Sequence, residues 1–270
     1  MCRVVIHTNK EYWDQVATEW QTTRAYDLWR RHSDGVNRQL LDRWLAGPPV
    51  ERLLKTDMFD EAIAEGVLPF LESKARHVVG IDISPEVLQM AKRHYPRMDS
   101  MKADIRSLPF GDGHFDSAVS LSTLDHFDTQ SDILTALDEL RRVLRPAGRL
   151  VLTMDNLRNP AIWVRNALPF RWLNTIGLVP YYVGQTCSPR RLCRYLQQTG
   201  FEVLQSQAIV HCPRALAVAA ARCLQGRAGG PTQARFLYLL QSFERLGNLP
   251  TRFFTGYFVA VNAVKRGRTG

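Results

Sequence analysis

Three groups of polar side chains follow apolar stretches of this 270-residue sequence, at positions where a parallel sheet would present chemical groups. Asp82 lies in the apolar run "HVVGIDI" (77–83), and Asp104 follows the next candidate strand. The adjacent Asp125 and His126 come after a third. A carboxylate after the second strand can accept hydrogen bonds from two vicinal ribose hydroxyls. A histidine with a near-neutral pKa can take a proton from a hydroxyl or an amine.

Each of these residues also has an ordinary structural explanation. Asp82 can balance a helix dipole or assist the cap formed by Ser84. Asp104 can be a polar residue of a surface loop, and His126 can pack or bond the backbone. Taken singly, the residues leave both interpretations open.

The surrounding elements indicate how such residues would be positioned. "HVVGIDI" predicts a buried strand, and "SPEVLQMAKRHY" predicts a helix with Ser84 as N-cap and Pro85 in its first turn. "FDSAVSLST" and "RLVLTMDN" predict two further strands, with the helix "QSDILTALDELRRVL" between them. Strands alternating with helices predict an α/β fold with a doubly wound parallel sheet. Ligands of such sheets bind beyond the carboxyl ends of the strands.

Composition narrows the class of protein. The chain is 45% apolar and 23% charged, which is typical of a globular protein. No run approaches the ~20 apolar residues of a membrane span, and no secretory signal is recognisable, so we expect a cytoplasmic protein. Five cysteines without a CxxC pair indicate neither a disulfide framework nor a metal site. The net charge of +9 comes from arginines concentrated towards the C-terminal half, but without interleaved aromatic blocks nucleic acid is disfavoured.

Three stretches together resemble the class I S-adenosylmethionine-dependent methyltransferases of the ubiquinone/menaquinone type (methyltransferase type 11). They are "VVGIDISPEVLQMAKRH", "ADIRSLPFGDGHFDSAVSLSTLDHF" and "ALDELRRVLRPAGRLVLTMDN". The resemblance implies a Rossmann-like, seven-stranded sheet of order 3-2-1-4-5-7-6 whose last strand is antiparallel, with "TGFEVL" and "GYFVAVNAVK" as its last two strands. It also implies an N-terminal helical cap (1–50) on a methyltransferase domain (51–270). We expect a lid insertion at about 157–188 and a helical insertion at about 211–255.

The resemblance also implies roles for individual residues. Asp82 would bind the cofactor ribose, Ile83 beside it would also contact the cofactor, and Asp104 and Ile105 would contact the adenine. Ser120 and Leu121 would lie near the sulfonium. His126, as the base, and Asp125 beside it would face the substrate.

The stretch "LLKTDMFDEAIAEG" (53–66) departs from the family, which has a glycine-rich turn here. S-Adenosylmethionine has no phosphates, and its methionine end carries an ammonium and a carboxylate. Asp57 and Glu61 would pair the ammonium, Lys55 would meet the carboxylate, and Thr56 would complete a polar pocket. The same acids would repel a pyrophosphate, which argues against a nicotinamide dehydrogenase. We therefore expect a remodelled turn that still binds cofactor.

We expect methyl transfer to a small, hydrophobic or lipid-like acceptor, with O-methylation favoured. The evidence is an aromatic segment after the fifth strand, containing Trp163, Phe170, Trp172, Tyr181 and Tyr182. Arginine-bearing amphipathic helices follow, which would suit peripheral contact with an anionic membrane or a dimer interface, so the chain is expected to be a monomer or homodimer. The alternatives are a non-catalytic binding protein of the same fold and an RNA methyltransferase.

Overall fold

The computed structural model describes residues 10–21, 27–175, 179, 182–226 and 229–267. Cys2, Tyr181 and Arg227, on which some of the expectations above depend, lie outside these residues. Within them, no helix is long and apolar enough to cross a bilayer.

A seven-stranded sheet organises the chain. Its strands are β1 (Val50–Lys55), β2 (Ala75–Asp82), β3 (Asp99–Lys102), β4 (Phe115–Leu121), β5 (Leu144–Asp155), β6 (Phe201–Ile209) and β7 (Phe258–Lys265). Their order is β3-β2-β1-β4-β5-β7-β6. The first five strands pair in parallel, whereas β7 is antiparallel to both β5 and β6. The predicted fold class is therefore confirmed.

Twelve helices are assigned in the described residues. They are α1 (Lys10–Gln21), α2 (Asp27–Trp44), α3 (Phe59–Ile63), α4 (Leu68–Glu72), α5 (Pro85–His94), α6 (Gln130–Val143), α7 (Pro160–Ala167), α8 (Phe170–Thr175), α9 (Pro189–Gln198), α10 (Arg214–Leu224), α11 (Gly230–Ser242) and α12 (Arg252–Thr255). Short 3-10 helices cover Leu124–His126 and Phe243–Asn248. The lid region predicted at 157–188 contains α7 and α8, and the insertion predicted at 211–255 contains α10 to α12.

Helices cover both faces of the sheet and close two apolar cores. One core takes buried residues from α2, α4, α10 and α11, such as Leu40, Leu68 and Ala217. The other takes residues from α6 and α9, such as Leu137 and Leu196. The helix predicted after β2 begins as expected, since the Ser84 hydroxyl accepts a hydrogen bond from the Val87 amide at 3.1 Å.

The predicted start of β5 was wrong. The predicted strand "RLVLTMDN" starts at Arg149, yet β5 begins at Leu144, which pairs with Phe115. Pairing resumes only at Arg149 opposite Ser117, so the intervening turn forms an irregularity within the strand. Ala147 takes a positive φ of 60° there, which lets the chain turn without leaving the sheet.

Candidate active site

A cleft opens at the carboxyl ends of β1, β2 and β4, where the fold predicts a ligand. Its space, counted out to open solvent, is about 610 Å³. Its lining comes from the strand ends, the loop after β3, the start of α5 and one helix from outside the sheet. The lining residues are Trp13, Thr56, Asp57, Phe59, Asp82, Ile83, Val87, Ala103, Asp104, Ile105, Arg106, Thr123, His126 and Phe127.

Seven of the twelve sequence-predicted site residues line this cleft, namely Thr56, Asp57, Asp82, Ile83, Asp104, Ile105 and His126. The other five do not line it, namely Lys55, Glu61, Ser120, Leu121 and Asp125. Ser120 is fully buried within β4, and the sulfonium-side positions assigned to Ser120 and Leu121 stay predictions. Sequence reasoning missed Trp13, Phe59, Arg106, Thr123 and Phe127 among others.

Asp82 joins the turn after β1 to the turn after β2. Its Oδ2 accepts a hydrogen bond from the Met58 amide at 3.1 Å, and its Oδ1 accepts one from the Ser84 amide at 2.9 Å. Burial, reinforced by the nearby Asp57 carboxylate, raises the pKa of Asp82 to about 7. A carboxylate offers about four acceptor positions, so two amide bonds leave Asp82 able to accept from a ligand.

Lys55 and Glu61 form a buried ion pair instead of facing the cleft. The Lys55 Nζ lies 2.7 Å from Glu61 Oε2, and it also donates to the Asp57 carbonyl. Glu61 Oε1 accepts from the Val67 and Leu68 amides at 2.9 and 3.1 Å. Burial disfavours the Lys55 charge, but the nearby carboxylates of Glu61, Asp57 and Asp60 together outweigh it and raise the pKa of Lys55. In this structure the two side chains neutralise each other and lie outside the cleft lining, and their contact with the methionine end of the cofactor stays a prediction.

Gly80 on β2 explains how the turn closes without its own glycines. Met58 is completely buried and packs over Gly80. A Cβ added to Gly80 would lie only 2.4 Å from Met58 Sδ. The glycine that allows this close packing is therefore on the neighbouring strand β2 and not in the turn itself. The Met58 side chain does not line the cleft, whereas Phe59 forms part of its wall.

The floor of the cleft is acidic. Asp57 Oδ1 accepts from the Phe59 amide at 2.8 Å. Burial raises the pKa of Asp57, although Lys55 opposes the shift. The partly buried Asp57 and the buried Asp82 thus line the same cleft, which favours a cationic ligand group there over an anionic one.

Asp104 is held by an arginine that sequence reasoning missed. The Arg106 Nη2 lies 2.7 Å from Asp104 Oδ2, and its Nη1 lies 3.0 Å from Asp132 Oδ1. Burial acts to raise the pKa of Asp104, but the hydrogen bonds from Arg106 outweigh it and lower that pKa. Asp104 is therefore ionised at neutral pH, and a base amine bound here would share its oxygens with Arg106. The Arg106 guanidinium also lies over the Phe127 ring, 5.1 Å from its centroid.

His126 stands at the end of the 3-10 helix that follows β4, facing the cleft. Its Nδ1 lies 3.1 Å from the Tyr182 carbonyl oxygen. Since a carbonyl can only accept, Nδ1 carries the proton in this contact, and Nε2 is the ring nitrogen able to take one from a substrate. The Trp13 ring meets the imidazole edge-on at 4.6 Å between centroids.

Asp125 is buried behind His126. Its Oδ2 accepts from Ser122 Oγ at 2.8 Å and from the Asp155 amide at 3.1 Å. Its Oδ1 lies 4.0 Å from His126 Nε2. The catalytic role predicted for Asp125 is therefore better described as positioning, because its carboxylate is enclosed by the turn and is absent from the cleft wall.

Helix α1 covers the cleft from outside the sheet. Trp13 contributes to the lining and packs against the Phe59 ring, with centroids 6.0 Å apart. Asp14 accepts a hydrogen bond from Ser84 Oγ, and the Tyr12 hydroxyl accepts one from the Tyr182 amide at 2.5 Å. No strand-end pattern in the sequence marks this helix as part of the site.

Comparison with known proteins agrees with this geometry. Residues 62–152 match the family model described as "Methyltransferase domain". The resemblance to class I methyltransferases is therefore confirmed, and the family match extends over about a third of the chain.

Relatives differ in what they are named for. The chain is 31% identical over 147 residues to a demethylmenaquinone methyltransferase of Streptomyces avermitilis, covering 54% of this chain and 59% of that protein. It is 31% identical over 139 residues to the O-methyltransferase rstn1 of Aspergillus nomiae, covering 48% and 56%. The matches thus span little more than half the length of these relatives. The crystal structure of the [4+2]-cyclase SpnF covers 94% of this chain and 96% of its own with a TM-score of 0.58 at 20% identity, which shows a shared fold alone.

Proposed function

We propose that this chain transfers the methyl group of S-adenosylmethionine to a small, largely apolar acceptor, with a hydroxyl as the methylated group. The observation that carries the proposal is the cleft with two carboxylates, the partly buried Asp57 and the buried Asp82, beside the apolar walls of Ile83 and Ile105. Arg106 is the one Arg or Lys among the described lining residues, and it pairs with Asp104 and Asp132.

The charge of these residues supports this cofactor. Asp82 would accept from the ribose hydroxyls, and Ile105 would flank the adenine. Asp57 would attract the ammonium in place of Lys55 and Glu61, which satisfy each other. When bound, the cofactor supplies a methyl group already activated by the positive sulfur. The same acidic floor disfavours the pyrophosphate of a dinucleotide.

The protein's contribution to the reaction would be alignment and proton removal. Holding the acceptor in line contributes on the order of 7–11 kcal/mol in well-oriented systems. His126 Nε2 would take the hydroxyl proton while the Tyr182 carbonyl fixes the ring through Nδ1. Trp13 and Phe127 would exclude water and present an apolar surface to the acceptor.

Calorimetric titration with S-adenosylmethionine, S-adenosylhomocysteine and NAD⁺ tests the cofactor assignment. We expect heat from the first two compounds and none from NAD⁺. Asp82→Asn should weaken binding about tenfold or more, since a hydrogen bond to a charged group contributes roughly 1.5–3 kcal/mol. Asp99→Asn, an exposed carboxylate on β3, is the matched control and should bind as the parent does. Absence of heat with both adenosyl compounds would contradict the proposal.

The second candidate is a non-catalytic binding protein, favoured by the turn whose glycines are replaced. Incubation with radiolabelled methyl donor and a panel of apolar alcohols and phenols distinguishes the two. Binding of cofactor without label transfer to any acceptor would support the second candidate.

A further inference from the structure

The net charge of the sequence changes sign at the end of β5. Residues 1–155 contain 20 Lys and Arg against 24 Asp and Glu. Residues 156–270 contain 15 Lys and Arg against two Asp and Glu, and no acidic residue occurs from 156 to 201. The part of the chain that follows the catalytic strands is therefore strongly cationic, whereas the part that builds the cofactor cleft is slightly anionic.

Exposed apolar side chains occur in the same cationic part. Of the eleven large apolar side chains that are exposed among the described residues, ten follow residue 155 and Met101 is the exception. Single exposed apolar residues need no explanation, but a concentration of them on a cationic surface does.

The best-defined group forms what we call the lid face, consisting of Trp163 and Val164 on α7, Leu168 immediately after α7, Trp172 on α8, and Phe254 on α12. Trp163 is 63% exposed and Trp172 is 54% exposed. Helix α7 packs against α8. The Arg158 guanidinium lies 4.9 Å from the centre of the Phe254 ring, which joins α12 to the start of α7.

The opposite side of α7 is already fixed to the domain. Ile162 is fully buried, and the Arg165 guanidinium pairs with Asp155 at the end of β5. Asn166 donates to Thr186 Oγ1 at 2.6 Å. Because these contacts hold the inner side of α7 against the domain, Trp163 and Val164 are exposed on the outer side of a helix that is already packed.

We propose that the lid face docks on the surface of a bilayer that contains anionic lipids. An amphipathic helix with tryptophan and aliphatic residues beside arginines, and without acids, is the composition that binds in the headgroup region. RNA would pair with the arginines, but it would leave Val164 and Leu168 in water. The inference rests on the proposed function, because it names the lipid phase as the source of the apolar acceptor.

The lid face is connected to the reaction site through contacts of residues 182–186. Asn166 of α7 donates to Thr186 Oγ1, and the Gly184 amide donates to the Asp125 carbonyl oxygen at 2.8 Å. The Tyr182 carbonyl contacts His126 Nδ1, and the Tyr182 amide donates to Tyr12 of α1. A surface that docks through α7 and α8 would therefore place the membrane close to the elements that border the acceptor end of the cleft.

Sedimentation with vesicles tests the proposal on the full chain. The parent protein should bind vesicles containing phosphatidylglycerol, bind vesicles of phosphatidylcholine alone much less, and be released by salt. The double variant Trp163→Ser with Trp172→Ser should lose roughly tenfold or more in partitioning. Arg158→Gln and Arg171→Gln should each lose roughly fivefold on the anionic vesicles.

Met101→Ser is the control, since Met101 is an exposed apolar residue on β3, away from the lid face. It should bind vesicles as the parent does. Equal binding by the double tryptophan variant, or no binding by the parent, would overturn the proposal. Salt-sensitive binding of bulk tRNA in place of vesicles would overturn it in favour of an RNA partner.

Cofactor titration of the same variants separates this inference from the proposed function. The double tryptophan variant should retain the heat of S-adenosylmethionine binding, since neither residue lines the cleft. A protein that binds cofactor but not vesicles would refute the membrane surface and leave methyl transfer standing.

Discussion

The Lys55 ammonium lies 2.7 Å from the Glu61 carboxylate, with only 4% and 0% of the two side chains exposed. The related family has a glycine-rich turn at these positions, whereas here a buried ion pair holds the turn. Because Glu61 also accepts two backbone amides, the turn is fixed before any ligand arrives. The acidic carboxylate of Asp57 is then left as the ligand-facing group of the turn.

Replacing Lys55 by methionine should destabilise the fold, because it leaves Glu61 buried without its cation. We expect a loss of about 3–5 kcal/mol in the free energy of unfolding, measured by urea denaturation. The control is Lys74→Met, which removes a partly exposed pair with Asp42 of the same 2.7 Å length and should cost no more than about 1 kcal/mol. Equal losses in the two variants would show that burial of the Lys55 pair has no special role.

Gly80→Ala should displace Met58, since the new Cβ would lie 2.4 Å from its sulfur. Overpacking of this kind costs roughly 1–3 kcal/mol, and the shifted turn should also weaken cofactor binding. Adding Met58→Ala should recover part of the affinity by removing the collision. Thermal unfolding and titration calorimetry of the single and double variants measure both effects. A double variant that loses more cofactor affinity than the two single variants together would contradict the packing argument.

Cofactor affinity should rise as the pH increases from about 6 to about 8, because Asp82 with its pKa of about 7 becomes an ionised acceptor over that range. The stability of the ligand-free protein should change in the opposite direction. The folded-state pKa of Asp82 lies above its ordinary value of 3.8, so the folded state holds the proton more tightly and loses stability as the pH rises between those values. Asp82→Asn should flatten the binding profile, and an unchanged profile would assign the dependence to another group.

His126→Gln should lower kcat by about 10²–10⁴-fold if His126 is the general base for a hydroxyl acceptor. The affinity for S-adenosylmethionine should change little, because glutamine can still donate to the Tyr182 carbonyl. His77→Gln, at an exposed position near the start of β2, is the control and should retain activity. Full turnover by His126→Gln would remove the base role and favour an acceptor that needs no deprotonation.

The sequence was sufficient for the sheet, because its signals are local and repeated. Buried strands such as the one ending at Asp82, and the capped helix beginning at Pro85, are each marked by several neighbouring residues. The strand order and the antiparallel β7 came from the family resemblance, and both are confirmed.

The site was predicted less completely, since it depends on contacts between distant residues. Lys55 and Glu61 are six positions apart, and nothing local shows that they pair with each other before a ligand. Arg106 was missed because its partner Asp104 was assigned to the ligand. Trp13 reaches the cleft from a helix that precedes β1, so strand-end reasoning did not consider it.

The position of β7 between β5 and β6 constrains how the chain is made in the cell. Until Phe258–Lys265 leave the ribosome, β5 and β6 each present an edge of unpaired amides and carbonyls. Completion of the sheet is thus delayed until the final strand is translated, and the nascent protein passes through a stage that is prone to self-association and suited to chaperone capture.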